Sequence, residues 1–398
     1  MVDLILASLI AFALGASFFA AWSIGAGSTG ATPFAPAVGA GAISTMRAAF
    51  IVGILGFAGA VLQGAAITET VGRGLIDGVT LSPLAATVAL VIAAIYISAG
   101  VFKGYPIATA FAITGSVVGV GIAMGGDPAW DRYLEIGLYW LLTPFFVTPV
   151  AYLVTKLLRS ERHINHVVVP GLAASVGIVI AHMEFLFIGD PDVPESAAFW
   201  LAARLPIDFT LAVVVISLVF AAAFAAVMYL AFTKDPIWSQ RWFLLTLGAL
   251  VAFTAGGGKV GLAVGPLLPL SEEVWGTAPI AAVLVFGGFS MLLGTWLAAT
   301  RMIKALSQDY SALGPRRSIG VLIPSFIIAQ IGIFYGIPMS FNEIFISAIA
   351  GAGLAAGTGG VSGRKLAITA LAWIGSLIFS LAIGYGVYLG VSRVTGIT

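Results

Sequence analysis

The chain has 398 residues, of which 60% are hydrophobic and only 9% are charged, and its formal net charge is +1. A water-soluble domain normally has about 25% charged residues, so this chain has too few charges to cover its surface in water. The small net charge argues against a nucleic-acid partner, and the lack of cysteine excludes disulfides and thiolate metal sites. The composition therefore predicts a multi-pass protein of the cell membrane, with the lipid bilayer around it.

Long apolar runs predict that the chain crosses the membrane as helices. Each crossing needs roughly 20 apolar residues, and open sheet edges cannot be satisfied in lipid. The runs fall at 4–22, 47–67, 83–101, 105–125, 133–158, 165–188, 207–232, 242–266, 277–300, 319–335, 338–358 and 366–391. Several are too short or too rich in glycine for a plain crossing. We therefore predict an all-α polytopic protein with about ten to twelve membrane elements, some of them broken or re-entrant.

Two kinds of interruption recur in the same order in both halves of the chain. A glycine-rich stretch interrupts an apolar run at Gly25 to Gly39 and again at Gly256 to Pro266. Further on, a Gly-x-Pro follows a span and opens another small-residue helix, at Gly104 to Ala110 and at Gly336 to Asn342. One such run alone would favour close helix packing, to which glycine is suited. Corresponding interruptions in two halves instead indicate the binding site of a transporter.

This duplication predicts two inverted repeats. The most polar break near mid-chain is the stretch 233–241, which carries Lys234, Asp235 and Arg241. We therefore predict a first transmembrane repeat at 1–232, a connecting loop at 233–241 and a second repeat at 242–398.

The motifs around these interruptions, taken in order, match those of one family. Ile24 to Ala26, Phe34 and Val38 to Ala42 follow a family signature, Phe253 to Leu267 follows its second copy, and Gly336 to Ser340 follows a Gly-x-Pro-x-Ser hairpin. In these stretches the chain resembles the inorganic phosphate transporter (PiT) family of secondary carriers. The resemblance implies alternating-access transport of an inorganic oxyanion, phosphate first. A sulfate permease of the same family and, more remotely, a passive anion channel are the alternatives.

The chain departs from this family where sodium-coupled members have an Asn-Asp pair. That pair falls on Ser28-Thr29 in the first half and on Gly258-Lys259 in the second. The carboxylates that would hold Na⁺ there are absent, as they also are in a sulfate-permease branch of the family. The coupling cation therefore stays open between H⁺ and Na⁺, and the substrate between phosphate and sulfate.

Polar side chains near the interruptions form a candidate oxyanion site. Inside a membrane, an oxyanion needs donors that replace water, and these are supplied by backbone N–H groups at helix N-termini and by hydroxyl groups. Any single hydroxyl would favour a hydrogen bond between helices, whereas a set at repeat-related breaks indicates binding. The predicted substrate-binding residues are Ser28, Thr29, Thr32, Thr109, Lys259, Ser340 and Asn342.

Lys259 is the most unusual of these residues because no acidic residue lies within ten positions of it. An ammonium in a membrane helix costs at least about 2.5–3.5 kcal/mol, so function is the default interpretation, although a lysine can also snorkel to the interface. We hypothesise that Lys259 stands where other members of the family bind a cation, and pairs with the anion. Glu343, at the start of the second hairpin helix, would form a charge pair with it or merely complement the helix N-terminus.

Enzymatic activity is not predicted. The three histidines include His163 and His166 in or beside a basic loop, which leaves no nucleophile–base set and no metal or cofactor site. Lys259 follows three glycines but precedes Val260, so the stretch is not a phosphate-binding P-loop. The predicted partners are inorganic phosphate or sulfate, a coupling cation and lipid, with a homodimer left open.

Overall fold

Helices make up almost all the regular structure of the protein. The computed structural model describes residues 2–159, 167–190, 193–270, 280–308, 314–355, 357 and 363–396. The predicted loop histidines His163 and His166 lie outside these residues. The helices are α1 (Val2–Ile24), a π-helical segment (Gly25–Thr29), α2 (Ala35–Gly39), α3 (Thr45–Gln63), α4 (Ala65–Arg73), α5 (Pro83–Lys103), α6 (Thr109–Ala123), α7 (Trp130–Arg159), α8 (Val169–Ala181), α9 (Ala197–Ala202), α10 (Phe209–Lys234), α11 (Pro236–Val264), a 3₁₀ turn (Gly265–Leu267), α12 (Ile280–Gln308), α13 (Pro315–Phe334), α14 (Phe341–Ala355) and α15 (Gly363–Thr395).

The prediction of an all-α polytopic membrane protein is confirmed. In the described part of the chain, nine helical stretches are long and apolar enough to cross a membrane, and α6, α8 and α14 are shorter apolar helices. The outer faces of the long helices carry large apolar side chains, with Leu134 71%, Phe145 70% and Leu297 73% exposed. In water such a surface would aggregate, so these faces contact lipid.

Two small antiparallel sheets join the helices at their ends. Strand β1 (Ile76–Asp77) pairs with β2 (Asp127–Pro128), and β3 (Glu184–Asp190) pairs with β4 (Val193–Ser196). Because β1 precedes α5 and β2 follows α6, α5 begins and α6 ends on the same side of the protein. The short helix α6 therefore returns to the side from which α5 started, so the two helices run in opposite directions.

The apolar run at 165–188 is not one helix, contrary to the simplest interpretation of its length. Helix α8 ends at Ala181 and strand β3 begins at Glu184. The stretch from Phe185 to Ile188 is rich in aromatic and branched residues, which favour strands, and Gly189 has a left-handed φ of +87°. Residues 165 and 166 lie outside the described part of the chain.

The predicted interruption at Gly256 to Pro266 is wrong over most of its length. Helix α11 runs without a break to Val264, and only the 3₁₀ turn at Gly265–Leu267 follows the prediction. A Cβ atom on Gly256 would lie 1.9 Å from the Gly56 carbonyl oxygen, and one on Gly261 would lie 2.4 Å from the Thr68 amide nitrogen. The glycines therefore let α11 contact α3 and α4 backbone to backbone. In the first half the interruption is real, since the π-helical segment and α2 replace a regular helix there.

The predicted connection at 233–241 is shorter than the sequence suggests. Helix α10 ends at Lys234 and α11 begins at Pro236, so only Asp235 lies between them. The Asp235 carboxylate accepts hydrogen bonds from the amides of Ile237 and Trp238 and caps α11. The polar residues of this stretch therefore end one helix and start the next, and the division into repeats at this point stays a prediction.

Two helix pairs have the same turn geometry. We call α5, residues 104–108 and α6 hairpin 1, and α13, residues 335–340 and α14 hairpin 2. Each turns at a glycine with left-handed φ, +72° at Gly104 and +62° at Gly336. In hairpin 1 the amide after this glycine, that of Tyr105, donates to the Gly100 carbonyl at 2.9 Å; in hairpin 2 that of Ile337 donates to the Gly332 carbonyl at 2.7 Å. Both Gly-x-Pro motifs therefore form a turn that precedes a short helix, as predicted.

Each hairpin is held by a tryptophan from the other half of the chain. Trp140 on α7 donates from Nε1 to the Pro338 carbonyl of hairpin 2 at 2.9 Å, and Trp373 on α15 donates to the Pro106 carbonyl of hairpin 1 at 3.1 Å. Helix α7 packs along α14, and α15 packs along α6. The helix that follows each hairpin in sequence therefore packs on the other hairpin.

Candidate functional site

Lys259 links the starts of α6 and α14. Its ammonium donates to the Thr109 hydroxyl oxygen at 2.8 Å and to the Met339 carbonyl at 2.7 Å. Thr109 is the first residue of α6, and Met339 lies two residues before α14. The side chain is 0% exposed, and its Nζ lies 5.7 Å from the centroid of the Phe341 ring. Lys259 therefore does not snorkel to an interface, and one buried charge holds the two hairpins together.

Asn342 makes a second connection between the hairpins. Its Nδ2 donates to the Ile107 carbonyl of hairpin 1 at 2.7 Å and, more weakly, to the Gly27 carbonyl of the π-helical segment at 3.4 Å. Ile107 and Met339 each lie three residues after the turning glycine of their hairpin. The carbonyl at this position accepts a buried donor in both hairpins, an amide in one and an ammonium in the other.

Several buried oxygen atoms around these connections have no hydrogen-bond partner among the described residues. They are Ser28 Oγ, Ser340 Oγ, Asn342 Oδ1 and Glu343 Oε2. A buried polar atom without a partner costs about 1–3 kcal/mol, and native proteins contain few of them. Three of these residues are consecutive or nearly so at the start of α14, where Asn342 also contacts the segment that carries Ser28. Half of the eight unpartnered buried side-chain atoms in the described residues therefore lie around the connections that Lys259 and Asn342 make.

Thr29 and Thr32 use their hydroxyl hydrogens on the backbone. Thr29 Oγ1 donates to the Ala255 carbonyl at 3.4 Å, and Thr32 Oγ1 donates to the Ser28 carbonyl at 3.1 Å. A hydroxyl has one hydrogen, so both hydroxyl hydrogens are directed at the backbone in this structure, and the predicted binding role of the two threonines stays a prediction. Ser28, Thr109 and Ser340 are the predicted hydroxyl residues whose hydrogens are not committed in this way.

Glu343 lies in the first turn of α14 and is 3% exposed. The Lys259 ammonium directs its hydrogen bonds to Thr109 and Met339, and in the described part of the chain it makes no hydrogen bond to Glu343. The predicted role of this pair in coupling stays a prediction.

The sequence analysis did not identify the tryptophans that hold the hairpins, nor a buried polar cluster of Gln63, Thr254 and Gln330. In that cluster Gln330 Nε2 donates to Thr254 Oγ1 at 2.7 Å and to Gln63 Oε1 at 3.1 Å. Both glutamines are buried and belong to different helices, so no local spacing relates them. The tryptophans did leave a signal, since each follows the Gly-x-Pro of its own half at nearly the same spacing.

Comparisons with known proteins agree with this architecture. The sequence pattern of the phosphate transporter family matches residues 24–384 of this chain. The chain is 26% identical to the chloroplastic inorganic phosphate transporter 2-1 of Arabidopsis thaliana, over 90% of this chain and 68% of that protein. It is 28% identical to a putative phosphate permease of Pyrococcus furiosus, over 88% of this chain and 87% of the other.

A solved structure has the same fold. It is described as the sodium-dependent phosphate transporter, and it superposes with a TM-score of 0.81 at 21% identity, covering 97% of this chain and 100% of that one. At this identity the likeness establishes the fold alone. Because the family match covers nearly the whole chain, the protein belongs to the phosphate transporter family.

Proposed function

We propose that this chain is a permease for inorganic phosphate that holds its substrate between the starts of α6 and α14. Membership of the phosphate transporter family makes it a membrane transporter and not an enzyme. The observation that carries the proposal is the fully buried Lys259 ammonium, which joins both hairpins beside oxygen atoms that lack a partner. The named relatives are phosphate transporters or permeases, which favours phosphate over sulfate.

The donors at this position suit a tetrahedral anion. An ammonium has three N–H bonds, of which Lys259 uses two on Thr109 and Met339. The first amides of a helix have no intrahelical acceptor, so those at the starts of α6 and α14 add further donors together with the helix dipoles. The Ser28 and Ser340 hydroxyls complete the set. Because the Glu343 carboxylate lies at the start of α14 as well, the single ammonium favours the less charged, monovalent form of phosphate.

The two hairpins support alternating access by a duplicated, inverted fold. They share the left-handed glycine, the same backbone hydrogen bond and the tryptophan bound to the proline carbonyl. Such pairs allow two opposite conformations of similar energy around one central site. We therefore retain the proposal of two repeats, at 1–232 and 242–398, that move against each other.

Lys259 also bears on the coupling ion. At the position where sodium-coupled relatives are expected to have a carboxylate, this chain has a fixed positive charge. We propose that the ammonium supplies the charge that a bound cation would otherwise supply to the anion. The transporter then needs no Na⁺ at this position.

The experiment is uptake of radiolabelled phosphate into proteoliposomes, with unlabelled sulfate as competitor. Replacing Lys259 by Ala leaves the anion without a counter-charge, and losing one partner of a buried charge pair costs about 2–5 kcal/mol, so we expect uptake to fall by about 30-fold or more. Lys234→Ala, at the exposed end of α10, is the matched control and should keep the rate. Unchanged phosphate affinity in Lys259→Ala would disprove the site, and no movement of phosphate by the wild type would disprove the function.

A further inference from the structure

A cleft of about 260 Å³ lies between α7 on one side and α6 and α15 on the other, and none of its lining residues belongs to the proposed substrate site. Its wall is mostly apolar and includes Val118 of α6, Ile136 and Trp140 of α7, and Leu377 and Leu381 of α15. Val118 and Ile136 are only 6% and 2% exposed, so they lie deep in this wall. An apolar cavity stays dry and binds apolar molecules, so we expect a hydrophobic occupant.

The cleft separates two groups of helices. Helix α7 packs along α13 and α14, which belong to hairpin 2, whereas α6 of hairpin 1 packs along α15. In the wall of the cleft, Trp140 stacks on Phe111 of hairpin 1 and binds the Pro338 carbonyl of hairpin 2. A motion of one hairpin against the other therefore changes the width of the cleft.

Gly137 leaves the cleft open towards the bilayer. This residue lines the cleft in the interior of α7, where glycine is less favourable than alanine. A Cβ atom on Gly137 would meet no described residue within 4 Å, so close helix packing does not account for the glycine. Leu134 and Leu141, on the same face of α7, are 71% and 64% exposed and contact lipid. The cleft is therefore continuous with the lipid-facing surface beside Gly137.

A hydrocarbon chain suits this cleft better than a polar ligand does. The wall offers many dispersion contacts, and the bilayer around the protein supplies hydrocarbon chains at its opening. Trp130, at the start of α7, lines the same cleft and is 68% exposed. Tryptophan is enriched where lipid headgroups meet water, so the cleft extends inwards from the level of the headgroups.

We propose that the cleft binds one acyl chain of a surrounding phospholipid, and that this chain leaves when the hairpins move and the cleft narrows. While the chain is bound, it holds α7 apart from α6 and α15. Binding of the chain does not depend on which anion is carried, whereas its effect on transport rests on the proposed function.

The test uses phosphatidylcholine with a diazirine in one acyl chain, mixed into proteoliposomes of the full chain and activated by light. Mass spectrometry then locates the labelled residues. We expect labelling of buried Ile136 and Val118, which lipid on the outer surface cannot reach, as well as of exposed Leu134. Labelling confined to exposed residues such as Leu134 would overturn the proposal.

A filled cleft provides the second measurement. Gly137→Leu places a side chain in the open space at the edge of the cleft, so labelling of Ile136 and Val118 should be lost while that of Leu134 remains. We also expect phosphate exchange to slow by about fivefold or more, because an overpacked cleft resists narrowing. Gly137→Ala adds one methyl group and should keep both properties. Gly386→Leu, at an exposed and equally open position of α15 outside the cleft, is the matched control and should keep them as well.

The results separate this proposal from the proposed function. Retained labelling of Ile136 and Val118 in Gly137→Leu, an unchanged exchange rate in that variant, or equal slowing by Gly386→Leu would overturn the acyl-chain proposal. The labelling of the wild type decides whether a chain binds even if Gly137→Leu does not fold. A wild type that is labelled at Ile136 but moves no phosphate would refute the proposed function and support the binding of the chain.

Discussion

Hairpin 1 and hairpin 2 share a backbone and differ in their side chains. Gly104 and Gly336 turn the chain in the same way, and a tryptophan binds the carbonyl of Pro106 in one and of Pro338 in the other. The first three residues of the short helix, however, are Thr109-Ala-Phe in hairpin 1 and Phe341-Asn-Glu in hairpin 2. The backbone of the site is thus duplicated, whereas its chemistry is not.

The difference has a physical consequence for transport. Each hairpin contributes a hydroxyl to the proposed site, that of Thr109 or Ser340, but hairpin 2 also contributes an amide, a carboxylate and the carbonyl that binds Lys259. Two equivalent carboxylates would face one ammonium and would repel each other. At the proposed site a single carboxylate, on hairpin 2, accompanies the Lys259 ammonium. The two hairpins therefore differ in charge although they share a backbone.

Among the substitutions that test the difference between the two hairpins, Asn342→Ala is expected to have the largest effect. Asn342 Nδ2 connects hairpin 2 to the Ile107 carbonyl of hairpin 1, and a buried acceptor left without its donor costs about 1–3 kcal/mol. We expect the KM for phosphate to rise by about 5- to 150-fold, which corresponds to that energy. Uptake kinetics in proteoliposomes measure it. Ser239→Ala, a buried serine at the start of α11, is the control and should leave KM unchanged; an equal rise there would mean that the effect is not local.

A smaller effect is expected when the feature shared by both hairpins, the hydrogen bond from a tryptophan to a proline carbonyl, is removed instead. Trp140→Phe and Trp373→Phe each delete the N–H that binds a proline carbonyl, a hydrogen bond with a net value of about 1 kcal/mol. Trp140 also stacks on Phe111 of hairpin 1, with 3.9 Å between ring centroids, so one side chain contacts both hairpins. We therefore expect Trp140→Phe to slow transport more than Trp373→Phe does.

The measurement is the maximal rate of phosphate exchange, with thermal unfolding in detergent as a check on stability. Trp296→Phe removes a similar hydrogen bond, to the Phe50 carbonyl at 3.2 Å, outside both hairpins. It should change the melting temperature slightly and the rate not at all. Equal rates for the variants of Trp140, Trp373 and Trp296 would show that the hairpin contacts have no special role.

Much of this architecture could be predicted from the sequence because hydropathy and turn chemistry are local. The apolar runs give the spans, and Gly-x-Pro gives the turns at Gly104 and Gly336. The continuity of α11 could not be predicted, since glycine is typical both of helix breaks and of close packing. The distance from Gly256 to the backbone of Gly56 decides between the two, and it depends on how α3 and α11 meet.

The chemistry of the site could be predicted in part. Lys259, Asn342 and Glu343 stand out because charged and amide groups are expensive in lipid. Their partners could not be predicted, because the Met339 carbonyl and the Ile107 carbonyl are backbone atoms that any residue carries. The packing of α7 on hairpin 2 and of α15 on hairpin 1 could not be predicted either, because it depends on contacts between distant segments.

The smallest effect is expected from removing Arg132, which contacts the turn of hairpin 2. Arg132 Nη2 donates to Thr70 Oγ1 at 2.8 Å and to the Tyr335 and Gly336 carbonyls at 3.2 and 3.1 Å, and Arg132 also pairs with Glu135. Because the arginine is partly exposed, we expect Arg132→Gln to cost less than about 1 kcal/mol, which is a change of less than about fivefold in local opening. Hydrogen exchange should quicken at residues 335–340 and stay unchanged at residues 104–108, which provide the internal control. Equal changes in both turns would mean that Arg132 stabilises the whole protein and not this hairpin, and the difference between the hairpins would then be confined to the start of their short helices.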